Sequence, residues 1–455
     1  MTYFFETYGC QMNSAESAAL ALVCKERGWV EVTDSESANL VLLNTCSVRL
    51  TAEKRALGRI AHYAGIKKKH KRDLTLVIAG CMAQRLGAKL IERFPQVDYV
   101  MGTSQRSHFP LILEAVENGK KAVLDINEKA VFSFSSSHLN EGLEQGSPFR
   151  SFIPIMHGCN NYCSYCIVPY VRGREISRDP ESIINEIRLV GESGVREITL
   201  LGQNVNSYIW NENDTGKNDS NNIDFSALLK IIAIEAEESG ISWVRFLSAN
   251  PGNFSSRTIE ALAANKVFCR HLHLPVQHGS NSILKAMNRG YTSERFLELV
   301  REIRSAMPGI TISTDILVGF PGETEDDLEK TLQLMEETRF LYSFMYHFNP
   351  REGTKAYDLP NRIIEEVKRK RLSRVIALQK KHTTELLKSR IGSTEVVLVE
   401  GISRKNADEL ITRTEKDEMV AVPGPKSMIG SFAKLTLSSL KGNTFRAKEL
   451  SSISF

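Results

Sequence analysis

"MHGCNNYCSYCIVPYVRGRE", residues 156–175, carries Cys159, Cys163 and Cys166 in CxxxCxxC spacing directly after a strand-like run, "FIPIMH". Three thiols this close wrap one face of a metal centre. Zinc would want a fourth protein ligand to close its tetrahedron. His157 is the nearby candidate, on the strand rather than in the loop. A 4Fe-4S cluster held by three cysteines keeps one iron open for a substrate or cofactor. An open iron that chelates the amine and carboxylate of S-adenosylmethionine (SAM) can pass it one electron and cleave it to a 5′-deoxyadenosyl radical.

Working outward, the runs "VREITLLG", "WVRFLS", "FCRHLHLPV", "TISTDILVGF" and "LYSFMYHF" follow the first strand. Helical segments such as "PESIINEIRLVGESG" and "SERFLELVREIRSAM" lie between them. Six βα units predict an incomplete version of the eightfold barrel, a (β/α)6 domain over 149–385. Upstream, "YFFETYGC", "ANLVLLNTC" and "LTLVIAGC" alternate with "SAESAALALVCKERGW", "TAEKRALGRIAHYAGIKK" and "AQRLGAKLIERF". That alternation predicts a parallel α/β sheet covered by helices over 1–140. Cys10, Cys46 and Cys81 each end a strand run, at the sheet edge where ligands bind. Cys24 and Cys269 have no such placement and are assigned to packing.

Residues 129–148 are rich in Ser, Gly and polar side chains and read as a linker, and 211–222 as an exposed loop insertion. After Gly392, short alternating runs predict a small all-β barrel over 388–455, near the lower size limit for independent folding. The fold class is therefore α/β with a terminal β barrel.

In the 455 residues, 42% are hydrophobic and no apolar stretch nears the length of a membrane span, so no membrane partner is expected. The start, "MTYFFETYGC", lacks the basic n-region of a signal peptide, which places the chain in the cytoplasm by default. In a reducing compartment the eight cysteines are metal ligands or buried thiols rather than disulfides. The net charge of +4 says little by itself, but its placement is uneven. "KKKHKR" at 67–72 and the helical run 364–390 concentrate it, the latter with Lys368, Arg369, Lys370, Arg371, Arg374, Lys380 and Lys381. Such runs are usually solvated helix faces; they also suit phosphates.

The cysteine motif, with Tyr165 before its last cysteine and a six-unit barrel behind it, resembles the radical-SAM superfamily. "TYGCQMN", "LLNTCSVR", "AGCMAQ", "LLGQNVNSY", "HLPVQHGSNSILKAMNRGYT", "DILVGFPGET" and "FNPREGTKA" narrow the resemblance to the methylthiotransferases, over essentially the whole chain. The resemblance implies a second, auxiliary 4Fe-4S cluster on Cys10, Cys46 and Cys81, and a terminal RNA-binding barrel of the TRAM type. It further implies that one SAM methylates a sulfur held on the auxiliary cluster, while a second yields the radical that activates the substrate carbon. The SAM pocket then draws on Tyr165, Gln203, Asn204, Ser248 and Gln277, in loops after the barrel strands.

Family branches act on prenylated adenosine in tRNA, threonylcarbamoyl adenosine in tRNA, or an aspartate of a ribosomal protein. "GCQMN" and "NTCSVR" resemble the branch that works on dimethylallyl adenosine beside the anticodon. The implied partners are a tRNA anticodon stem-loop, a flavodoxin- or ferredoxin-like electron donor, and proteins that supply sulfur or clusters. The chain departs from the TRAM pattern in having Thr412-Arg413-Thr414 where Gly-Arg-Thr is usual. The rival of a different class is a zinc-stabilised RNA-binding protein without catalysis.

Overall fold

The computed structural model describes residues 1–48, 50–70, 74–120, 143–144, 147–211, 222–404 and 406–453. The expected linker at 129–148 and the insertion at 211–222 lie for the most part outside the described residues, as does the end of "KKKHKR". The chain groups into two compact units. One is Met1–Glu144 with Phe152–Tyr162 and Cys166–Val190; the other is Gln145–Ser151, Cys163–Tyr165 and Gly191–Phe455.

The first unit is built on strands β1 (Thr2–Thr7), β2 (Val30–Glu31), β3 (Leu40–Thr45), β4 (Thr75–Gly80) and β5 (Tyr99–Met101). They form one sheet in the order β2-β1-β3-β4-β5, parallel throughout. Every side chain of β3 is buried, because alternate residues enter opposite cores. Leu40 and Leu42 join a cluster with Tyr3, Val77 and Phe109; Val41 and Leu43 join another with Ile60, Tyr63 and Ile78. A strand buried on both faces must read as a continuous apolar run, which "LVLL" does.

Helices α1 (Gln11–Glu26) and α2 (Leu50–His70) match the expected segments. The expected third helix is two short ones, α3 (Cys81–Leu86) and α4 (Ala88–Arg93), broken at Gly87 with φ +49°. α5 (Phe109–Glu117) follows β5. A short helix α6 (Val168–Arg172) belongs to the same unit; its Pro169 falls in the first turn, where a missing N–H costs nothing.

In the second unit, β6 (Ser147–Pro154), whose first residues belong here, is followed by β7 (Glu197–Leu201), β8 (Trp243–Phe246), β9 (His271–His273), β10 (Thr311–Val318) and β11 (Tyr342–His347). The pairs β7–β8, β9–β10 and β10–β11 are parallel, and an isolated parallel bridge joins Val244 of β8 to Phe268, shortly before β9. This is the expected partial barrel. After the long helix Glu365–Ser389 come, among the described residues, seven short strands in one mostly antiparallel sheet. Met419–Pro423 with Thr444–Arg446 is its parallel pair. Val397, Val399, Leu410, Val420, Leu435 and Phe445 fill its core.

That sheet is fastened to the amino ends of the barrel strands by buried charge. Glu197, first residue of β7, is 1% exposed and lies among Arg413 at 2.7 Å, Arg150 at 3.1 Å and Arg245 at 3.2 Å. Arg413 also pairs with Glu400 at 2.6 Å and Asp417 at 2.8 Å. The turn beyond it reaches the strands directly: Tyr342 donates to Asp417 at 2.8 Å, and Arg245 donates to the Glu415 and Thr414 carbonyls. Trp243, Cys269, Leu398 and Phe432 pack beside this network. Arg413, the middle of the atypical Thr-Arg-Thr, is thus consumed by the fold.

Candidate active site

Cys10, Cys46 and Cys81 follow the carboxyl ends of β1, β3 and β4, which are neighbours in the sheet. Thr45 pairs with Gly80, so Cys46 and Cys81 leave the sheet side by side. Cys10 is the residue before α1 and is exposed; Cys81 opens α3 and is buried, as is Cys46. Two glycines make room. Gly9 (φ +134°) has no Cβ, and one built there would stand 2.7 Å from Cys46 Cβ and 3.2 Å from Cys46 Sγ. Gly80 (φ +92°) likewise passes the Thr45 backbone at a distance no side chain tolerates.

Among the described residues, no three His, Cys, Asp or Glu side chains gather as ligands of a metal ion. A cubane cluster takes its thiolates on separate irons, and so wants them farther apart than a single ion does. The donor set fits that group: three thiols on one edge, a glycine at position 9 that lets the chain pass in contact with Cys46, and the Arg172 guanidinium acting on Cys10 and Cys81. Burial pushes the Cys81 thiol up to about 12, against the pull of Arg172. Such a thiol becomes an anion when a metal takes the proton's place.

Arg172, at the end of α6, donates to Glu16 at 2.7 Å and to Asn13 Oδ1 at 3.0 Å. Neither Arg172 nor Glu16 was singled out from the sequence. His157, weighed as a zinc ligand, is buried with Nδ1 3.4 Å from Arg172. Burial holds its imidazole well below the ordinary range, helped by Arg172 and Arg106.

The second cysteine set lies in one loop of chain. In the first unit, the Cys159 amide donates to the Gly173 carbonyl at 3.2 Å. In the second unit, Arg289 Nη1 donates to Cys163 Sγ at 3.3 Å while Nη2 donates to the Pro275 carbonyl at 2.7 Å. Ser164 donates through its hydroxyl to the Ala286 carbonyl and through its amide to the Met287 carbonyl. The segment "AMNRGY" thus grips the middle of the loop. Nothing in the sequence marks Arg289, because an arginine signals nothing until its partner is known.

Tyr165, half-buried, packs against Ile283, Met287, Phe320 and Phe348. Gln203 and Asn204 follow β7, Ser248 follows β8 and Gln277 follows β9, all at carboxyl ends of barrel strands. Asn204 is buried and donates to Ser207 at 2.5 Å. Ser248 (φ +65°) and Gln277 (φ +73°) occupy left-handed backbone, a strain that clusters at functional sites. Phe344 and Tyr346 of β11 pair in register with Asp315 and Leu317 and expose large rings.

The basic helix divides. Lys368 is buried and donates to the Phe348 carbonyl, and Arg371 is buried against Glu323 at 3.1 Å and Glu325 at 2.8 Å. These two were expected to meet phosphates and instead hold the helix to the barrel. Arg369, Lys370, Arg374, Lys380 and Lys381 remain on the exposed side. The first part of "KKKHKR" also turns inward, with Lys67 paired to Asp98.

Family models match the chain in three places: an uncharacterized protein family, UPF0004, at residues 2–102, the radical SAM superfamily at 153–335, and the TRAM domain at 388–449. The chain is 48% identical to a tRNA-2-methylthio-N(6)-dimethylallyladenosine synthase of Treponema denticola, covering 98% of this chain and 99% of the relative. It is 40% identical to the protein of that name in Carboxydothermus hydrogenoformans, over 96% of each. Among solved structures it is similar in fold to the radical S-adenosylmethionine methyltransferase TsrM of Kitasatospora setae. There the TM-score is 0.54 at 17% identity, over 76% of this chain and 72% of that one.

Proposed function

The chain belongs to the tRNA-2-methylthio-N(6)-dimethylallyladenosine synthase family, and from that premise we propose that it adds a methylthio group to carbon 2 of N6-dimethylallyladenosine beside the anticodon of tRNA. The observation that carries this reading is the placement of Cys10, Cys46 and Cys81 on three adjacent strand ends, apart in sequence from the CxxxCxxC loop. One cysteine set would serve a SAM-cleaving enzyme; a second set answers the need to hold sulfur.

No side-chain base removes a proton from an unactivated aromatic carbon, so the bound 4Fe-4S clusters and SAM supply the electron, the radical and the sulfur. The chain's own residues do the holding. Cys159, Cys163 and Cys166 carry one cluster and Cys10, Cys46 and Cys81 the other. Arg289 fixes Cys163. Tyr165, Gln203, Asn204, Ser248 and Gln277 bind and orient SAM at the carboxyl ends of the strands. The adenosine must leave its stack, at a cost of a few kcal/mol, less for a loop nucleotide. Phe344 and Tyr346 offer rings on which the extruded base stacks.

The terminal sheet and the exposed cations of the helix, Arg369, Lys370, Lys380 and Lys381, meet the tRNA backbone. The division of labour follows 1–140 for the auxiliary cluster, 149–385 for SAM and 388–455 for RNA. A flavodoxin- or ferredoxin-like donor supplies electrons in the cytoplasm, and sulfur- and cluster-supply proteins restore the auxiliary site.

The test is incubation of the anaerobically reconstituted protein with SAM, a reductant and tRNA bearing dimethylallyl adenosine, followed by nucleoside mass analysis. The expected result is the methylthio nucleoside together with 5′-deoxyadenosine. Modification of threonylcarbamoyl adenosine alone, or zinc without iron in the protein, would overturn the reading.

A further inference from the structure

Arg172 stands six residues after Cys166 in the chain, yet its side chain serves the other cysteine set. Its side chain is 3% exposed, and its partners Glu16 and Asn13 belong with it to the first unit. Nη1 donates to Glu16 Oε1 at 2.7 Å; Nη2 donates to Asn13 Oδ1 at 3.0 Å and to Glu16 Oε2 at 3.3 Å. Asn13 and Glu16 lie in the first turns of α1, which begins directly after Cys10. Asn13 Oδ1 accepts from Cys10 Sγ at 3.6 Å, so a single side chain joins the thiol to the guanidinium. On the other side, Cys81 packs with Ile167 and Val171, the latter adjacent to Arg172. Thr103 donates to the Val171 carbonyl at 2.5 Å and fixes that backbone. Arg106 approaches Glu16 at 3.5 Å, bringing a second cation to the same carboxylate.

Taking charges out of water costs several kcal/mol per ion, and an ion pair alone often stabilises no more than apolar residues of the same shape. Stability is therefore a poor reason for guanidinium groups at this place. Their charge has another consequence. A cubane cluster on three thiolates is anionic, and reduction adds one more negative charge to it. A fixed cation beside the ligands, shielded from water, favours that added electron. The contacts that hold Arg172 also orient the Cys10 loop, as outer-shell partners do at metal sites.

We propose that Arg172 is the positioning residue of the auxiliary cluster: held by Glu16 and Asn13 just after Cys10, at the end of the short helix that packs on Cys81, it supplies the fixed positive charge that raises the reduction potential of the iron–sulfur group on Cys10, Cys46 and Cys81. This rests on the reading of those three cysteines as cluster ligands.

The test uses the full chain in a background of Cys159→Ala, Cys163→Ala and Cys166→Ala, reconstituted anaerobically, so that the auxiliary cluster is titrated alone by electron paramagnetic resonance. Arg172→Met lowers the potential by about 59 mV, a tenfold shift in the one-electron equilibrium. Arg172→Lys keeps the charge and most of the potential. Glu16→Gln removes a negative charge and moves the potential up by a comparable amount. Opposite signs at two partners of one ion pair are what an electrostatic role demands, and a merely structural role would not produce them. Where Arg172→Met loses its iron, Glu16→Gln decides. A Glu16→Gln potential that stays or falls overturns the proposal, as does an unmoved Arg172→Met with its iron retained. A background protein without iron overturns instead the reading of the three cysteines, and the inference falls with it.

Discussion

Replacing Glu197 by Gln isolates what fastens the terminal sheet to the barrel. Burial by itself would raise this carboxyl, but Arg245, Arg413 and Arg150 overcome it and hold it at about 2 against an ordinary 4.5. A depression of that size corresponds to about 3 kcal/mol, within the roughly 3–5 kcal/mol seen when one partner of a buried pair is removed. Because the folded-state value is depressed, the stabilisation is complete above pH 4.5 and is lost as pH falls through 2. Glu197→Gln should therefore cost about 3 kcal/mol at pH 7 and flatten stability between pH 4.5 and 2. Trp243 sits within this junction, 4.9 Å from the Phe432 ring, so its emission reports the transition during urea unfolding under anaerobic conditions. A loss under about 1 kcal/mol at neutral pH, or an acid transition the same as that of the unaltered protein, would refute the assignment of Glu197 as the anchor.

Further outcomes follow from the site. Replacing Cys10, Cys46 and Cys81 together by Ala should leave SAM cleavage to 5′-deoxyadenosine intact and abolish methylthiolation; methylthio product from that variant would remove the sulfur site from these residues. Gly9→Ala puts a methyl group against Cys46 at a positive φ, and should lower iron content by about half, one cluster of two, while the far-ultraviolet circular dichroism is kept. Arg289→Met should slow 5′-deoxyadenosine formation about tenfold, a loss of about 1.4 kcal/mol in the transition state, by releasing Cys163; an unchanged rate would show that the loop needs no such anchor. Arg369→Gln with Lys370→Gln should reduce the salt dependence of tRNA binding by up to about 2 in slope. Lys368→Met and Arg371→Met should lower thermal stability instead.

Much of this protein was legible in one dimension. Buried parallel strands write themselves as apolar runs such as "LVLL" and "LVIAG", and the thiols that close three of them are visible as residue types at strand ends. The CxxxCxxC spacing is local, so chemistry could be read from it without a fold. Long-range pairing is another matter. Nothing in "VPYVRGRE" says that Arg172 meets Glu16, 156 residues earlier, or that Arg289 meets Cys163 across 126 residues. The basic helix shows the same limit: seven cations read alike in the sequence, and only packing against Glu323 and Glu325 separates Arg371 from Lys380. Arg413 read as a departure from a turn pattern and became a buried anchor, because Glu197 is brought to it across 216 residues. Which residues can ligate, alternate and bury is written in one dimension, since these are properties of spacing and side-chain type. The tertiary structure alone decided where charge is neutralised, because an ion pair is set by distance in space and by exclusion of water.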